Sequence, residues 1–132
     1  MNLSVASWSE DAARMLSASC SKSAVSGPED YRQLLERDPS AVLYRLDDGD
    51  GAAIGFFILR VEQFSGGSEG VILAAAARAP GVDLVELLLP AFERLLGDVS
   101  SFRVTTFRPG LIRKLKNRGW TQTHVVMRKA AK

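Results

Sequence analysis

The sequence predicts an α/β (α+β) domain with one mixed central sheet and helices on both faces, and three observations carry that prediction. Two apolar runs, residues 41–46 and 53–64, flank Asp47-Asp48-Gly49-Asp50-Gly51, a turn rich in the residues a tight hairpin requires. A third run, residues 71–77, is apolar without alternation, as in a strand covered on both faces. After Gly81, the residues Leu84, Leu87, Leu88, Phe92, Leu95 and Leu96 recur at helical spacing, with Glu86, Glu93 and Arg94 elsewhere around the helix. The 132 residues suffice for one core and not comfortably for two, so a single domain over 1–132 is expected.

Residues 3–6 read as a first strand, and Ser9-Glu10-Asp11 as the start of a helix through Ala12, Ala13, Met15 and Leu16. The Ser-rich stretch 17–26 reads as a loop. Gly27-Pro28-Glu29-Asp30 then opens a short amphipathic helix with Tyr31, Leu34 and Leu35 on one face, stopped by Asp38-Pro39. The hairpin follows, and Ser65-Gly66-Gly67 turns the chain into the third apolar run. Pro90 is expected to kink the long helix, because proline removes a backbone donor and collides with the preceding turn. Gly97-Asp98 ends that helix, residues 102–107 alternate as a strand, and Arg108-Pro109-Gly110 opens a basic helix with Leu111, Ile112 and Leu115 inward. Gly119 stops it, and residues 121–127 read as a last strand. The expected order is β-α-α-β-β-β-α-β-α-β.

Composition narrows the classes of function. The apolar stretches are broken by Arg78, Asp83, Glu86 and Glu93 before reaching the roughly 20 residues of a bilayer span, and no signal-peptide pattern opens the chain. A soluble, cytoplasmic protein without a membrane partner is expected. Cys20 is the only cysteine and His124 the only histidine, which excludes an internal disulfide and leaves no cluster for a structural metal. From Ser101 onward the chain carries nine cations and no acid, so against a whole-chain charge of +2 the first hundred residues hold −7. Such asymmetry suits an anionic partner, a nucleotide cofactor or nucleic acid; the alternative is that these cations pair with acids of the first hundred residues.

The order of elements, with the hairpin meander before the long helix, resembles the acyltransferase fold of the GNAT superfamily of N-acetyltransferases over nearly the whole chain. In that family an apolar fourth strand is followed by Gln or Arg, two residues, Gly, one residue, and Gly or Ala. Arg78, Gly81 and the helix after them match in position. The resemblance implies that backbone amides at this helix start hold the pyrophosphate of acetyl-CoA or another acyl-CoA, as the unpaired N–H groups of a helix N-terminus can. The segment from Arg108 to Trp120 looks like the family's helix ending in Gly and an aromatic residue. It is most similar to small GNAT-like proteins of bacteriophages, related in pattern to phage DNA-modifying acyltransferases of the Mom type. That likeness implies a nucleobase or modified base in phage DNA as acceptor, and a bacterial host cytoplasm as location.

Two positions depart from the family. The last position of the turn motif is Asp83, a good helix N-cap whose carboxylate opposes a diphosphate. Leu115 stands where many members carry the tyrosine that protonates the leaving thiolate. Both favour the alternative of a non-enzymatic GNAT-fold protein, a binding or structural phage component without the cofactor.

Acylation of an amine needs a proton acceptor and donors for the oxyanion. The resemblance sets Glu62 and Glu69 beside the acceptor cleft as candidate bases, and His124 is a third, since imidazole titrates near neutral pH. The alternative is that the glutamates are solvated hairpin carboxylates and His124 a surface strand residue. Ala75 and Ala77 belong to the small-residue strand along which a pantetheine arm would lie. Arg78, Gly81, Val82 and Asp83 form the turn, and Arg108 and Arg113 are candidate phosphate contacts.

Overall fold

A computed structural model describes residues 1–20, 26–106 and 108–131. Five strands and four helices follow one another as β1 (Asn2–Val5), α1 (Glu10–Leu16), α2 (Pro28–Arg37), β2 (Val42–Asp47), β3 (Ala53–Phe64), β4 (Gly67–Ala77), α3 (Leu84–Leu96), β5 (Ser101–Val104) and α4 (Pro109–Asn117). A single 3-10 turn, Ser17–Ser19, extends α1. The expected loop 17–26 is described only in part, and Phe107, the expected end of the fifth strand, lies outside the described residues.

Local chemistry explains most boundaries. Ser9 caps α1, its hydroxyl accepting from the Ala12 amide at 3.1 Å. Asp30 reaches back to accept from the Gly27 amide at 3.0 Å, with Pro28 in the first turn where its missing N–H costs nothing. In the β2–β3 turn the Asp48 carboxylate accepts from the amides of Asp50 and Ala52 at 2.8 and 2.9 Å, so one side chain closes the hairpin. The helix α3 continues through Pro90, which leaves the Glu86 carbonyl without its intrahelical donor.

The sheet order is β1-β2-β3-β4-β5, antiparallel except for the parallel β4–β5 pair that α3 connects. Helices cover both faces. On one, Ala12 and Leu16 of α1 pack with Ala41, Leu43, Phe56, Ile58, Ala74 and Ala76, and Tyr31, Leu34 and Leu35 of α2 lean on them. On the other, Leu88, Leu89, Phe92 and Leu96 of α3 and Leu115 of α4 pack with Leu46, Phe57, Leu59 and Ile72. Burial on both sides explains why Phe56, Phe57, Ile58 and Leu59 are consecutive buried residues rather than an alternating set.

The expected last strand over 121–127 does not form. Residues 121–131 are irregular and exposed, and Val125, Val126 and Met127 stand in solvent. Strand propensity expresses fit to a half-buried pleated surface, and this segment meets none, although Trp120 just before it stacks beside Phe102 of β5 at 6.4 Å. His124 therefore sits on no strand, and its Nδ1 lies 2.8 Å from the Thr123 hydroxyl.

Candidate active site

Two irregularities of β4 coincide. Ile58 pairs with Ala74 and Leu59 with Ile72, so Leu73 has no partner in β3 and forms a bulge. On the other side, β5 pairs with β4 only from Glu69 to Ile72, opposite Ser101 to Val104. Beyond Ile72 the strand keeps β3 on one edge and has lost β5 on the other. Residues 73–77 thus have no β5 partner on that edge, and Ala74 to Ala77 carry small side chains. Ala75 turns both its amide and its carbonyl toward that edge, and the hydroxyl of Ser19 meets both, accepting from the Ala75 N–H at 3.3 Å and donating to its carbonyl.

At the end of β4 the Arg78 amide donates to the Ile54 carbonyl at 2.8 Å, and the residue is exposed. Gly81 adopts φ +77°, a conformation open to glycine, and lets the chain turn through exposed Val82 into α3. Asp83 caps the helix by accepting from the Glu86 amide at 3.3 Å, and Lys114 Nζ approaches the same oxygen at 3.3 Å. The Glu86 amide, and then Lys114, hold the Asp83 carboxyl below its ordinary value. Glu86 in turn pairs with Arg118 at 2.8 Å, and the cleft of about 480 Å³ between α3 and α4 is lined by Asp83, Glu86, Lys114, Asn117 and Arg118. The helix start thus carries its own anion, already bonded.

Arg108, the N-cap of α4, reaches across to donate to the Ala18 carbonyl at 2.9 Å, and Arg113 is exposed on α4. Ala75 and Ala77 lie on β4, Arg78, Gly81 and Val82 in the exposed turn after it, and Asp83 at the start of α3. Arg108 is tied to β4 through the 3-10 turn.

Glu62 and Glu69 are brought together elsewhere. They face each other directly across β3 and β4, a pairing of like charges that is unfavourable by itself. Arg103 of β5 resolves it, donating to Glu69 at 2.8 Å and to Glu62 at 3.0 Å. Arg60 joins Glu62 at 2.5 Å to Asp38 at 3.0 Å, and the Ser101 hydroxyl donates to Glu69 at 2.8 Å. Burial pushes the Glu62 carboxyl up, but hydrogen bonds from Arg103 and Arg60 outweigh it and set the group below its ordinary value. Asp38 is also lowered, first by the hydroxyl and amide of Ser40 and then by Arg60. Along β4, Glu69 lies four residues from Leu73, roughly 13 Å at about 3.3 Å per residue.

This network carries a pH dependence whose sign is fixed. Depressed carboxylates contribute stability above their unfolded values, 4.5 for Glu62 and 3.8 for Asp38, and lose it as pH falls through the lower folded values. Denaturation midpoints measured from pH 7 to pH 3 are expected to fall below about pH 4.5, and Glu62→Gln to flatten part of the fall. An unaltered acid profile in that variant contradicts the network.

Sequence reasoning missed Ser19, Tyr31, Arg60 and Arg103 as parts of this region. Apart from Glu62, which shares β3 with Arg60, their partners lie in other elements, and no local pattern marks them.

The fold is that of the GNAT acetyltransferases, as solved structures show. A point-mutant form of the BH1408 protein from Bacillus halodurans superposes with a TM-score of 0.67 at 10% identity, covering 98% of this chain and 99% of that one. The ribosomal-protein-alanine N-acetyltransferase from Brucella melitensis biovar Abortus 2308 gives 0.60 at 18% identity, covering 98% and 100%. A GNAT family acetyltransferase from Staphylococcus aureus gives 0.54 at 13% identity, covering 79% and 77%. No protein-family model and no curated protein matches the sequence. Among the described residues, no helix is long and apolar enough to cross a membrane.

Proposed function

We propose that the chain is an acyl-CoA-dependent N-acyltransferase acting on an amine, with acetyl-CoA as the cofactor to test first. The observation that carries this reading is the open edge of β4 from Leu73 to Ala77, created where the bulge and the end of β5 coincide. Ala75 presents a donor and an acceptor there, the pair that an amide-bearing pantetheine arm needs, and the alanines leave room beside them. When bound, the cofactor would supply an activated thioester, whose acyl carbon would bond to the amine nitrogen as the carbon–sulfur bond breaks and the CoA thiolate leaves, the amine giving up a proton. The chain's part is to align the arm, to hold phosphates with Arg78, Arg108 and Arg113, and to accept the proton. Glu69 is the candidate acceptor placed on β4 itself, and its distance from Leu73 requires water between them. Glu62, bonded by two arginines, steadies Glu69 through Arg103, and His124 lies on the irregular tail.

A second reading, a non-enzymatic GNAT-fold binding or structural protein, is favoured by Asp83. Its carboxylate takes the Glu86 amide and Lys114, two groups that a pyrophosphate would use. One titration separates the readings. Acetyl-CoA is expected to raise the melting temperature, because a ligand selective for the native state stabilises it by mass action. Arg78→Ala should remove most of the shift, whereas Asp83→Asn, which keeps a good cap and removes the charge, should enlarge it with little change in basal stability. No shift at millimolar acetyl-CoA in any of the three proteins moves the assignment to the second reading.

The reading of the acceptor rests on charge. Within the described part of the basic segment, Arg103, Lys114 and Arg118 pair with acids, while Arg108, Arg113, Lys116, Arg128 and Lys129 are exposed. These support a nucleobase acceptor, as in phage DNA. Duplex binding should weaken with salt by about 0.9 in log K per log unit for each phosphate neutralised, and Arg113→Gln with Lys116→Gln should lower the slope by roughly two units. A flat salt response removes nucleic acid from the assignment.

A further inference from the structure

The Ser17–Ser19 turn is fastened over the open edge of β4 at three points. The Ser19 hydroxyl holds both outward-facing backbone groups of Ala75, one as acceptor and one as donor. Tyr31 of α2 donates its hydroxyl to the Ser19 carbonyl at 2.9 Å, and Arg108 of α4 donates to the Ala18 carbonyl at 2.9 Å. A serine hydroxyl both donates and accepts through a single atom, so it can satisfy an N–H and a C=O of one residue together. These are the bonds that an extended ligand laid along β4 would make at this position.

We propose that the turn is a built-in competitor for the cofactor edge: Ser19 closes β4 at Ala75, and an acyl-CoA arm pairs with the strand only after the turn has lifted. The inference rests on the acyl-CoA reading above. Physically, the closed form withholds the site and lowers the apparent affinity by the fraction of molecules that are open. Arg108 gives the device a trigger. Its guanidinium holds the turn from α4, and a phosphate bound there draws it off the Ala18 carbonyl, so that occupation of one end of the site loosens the cover on the other.

The test combines acetyl-CoA calorimetry with amide hydrogen exchange at Ala75, in the parent chain and in Ser19→Ala, Ser19→Thr and Tyr31→Phe. Ser19→Ala should raise acetyl-CoA affinity by about tenfold, the effect of removing two ordinary hydrogen bonds from the closed form, and should speed exchange at Ala75. Ser19→Thr keeps the hydroxyl and should behave as the parent. Tyr31→Phe should give a smaller gain in the same direction, and it carries the test if Ser19→Ala folds poorly. Equal or weaker binding by Ser19→Ala, in a parent that binds acetyl-CoA, overturns the competition and leaves the acyl-CoA reading standing. Absence of binding in parent and variants, with faster Ala75 exchange in Ser19→Ala, overturns the acyl-CoA reading and the competition with it.

Discussion

Replacing Phe57 with alanine is expected to destabilise the domain by about 3–5 kcal/mol, the range for deleting a buried aromatic ring and leaving a cavity. The ring is 1% exposed, and it lies 4.9 Å from that of Phe92 with the planes inclined at 60°. It therefore links the sheet to α3 by a tilted aromatic contact as well as by burial. In the β3–β4 register Phe57 stands opposite Ala75, so the large ring fills the volume the small residue leaves. The loss should remove a large fraction of the 5–15 kcal/mol typical of a domain. Urea denaturation of Phe57→Ala checks it; a loss under about 1 kcal/mol would mean that this ring does not join the sheet to α3.

Gly55→Val is expected to cost about 1–3 kcal/mol by overpacking and to distort the site as well. A Cβ at Gly55 would lie 2.7 Å from the Ala77 Cβ and 3.0 Å from the Ala76 carbonyl oxygen. Neither atom is the end of a flexible side chain, so relief requires movement of β4 itself, at the two residues that lead into Arg78. Gly49→Ala is the control: a Cβ there meets nothing within 4 Å. Denaturation and acetyl-CoA titration of both variants should show loss of stability and of binding in Gly55→Val alone. Full acetyl-CoA affinity in a destabilised Gly55→Val would place the cofactor away from the end of β4.

What was readable in the sequence was what is encoded locally. The β2–β3 hairpin was legible because its turn is closed by Asp48 bonding amides two and four residues on. The helix α3 was legible because its apolar stripe and its Asp83 cap lie within one segment. Site features set by register were not. The bulge at Leu73 exists only in the alignment of β3 with β4, and the four alanines after it read equally well as packing residues. Arg103 meets Glu69 across 34 positions, and Ser19 meets Ala75 across 56. The tail over 121–127 shows the converse: its composition suits a strand, but pairing is a property of two segments, and these residues pair with no strand among the described residues.

The central claim is that an acyl-CoA arm lies along the β4 edge from Leu73 to Ala77, with its phosphates toward Arg78. Amide chemical-shift mapping during titration with acetyl-CoA tests this most directly, because the outward N–H of Ala75 lies on that edge, where it donates to Ser19 in the free chain. The largest saturable shifts should fall on residues 73–78, with smaller ones on the Ser17–Ser19 turn and at Arg108. Saturable binding whose shifts lie elsewhere, or no shift at Ala75 at millimolar acetyl-CoA, would contradict it.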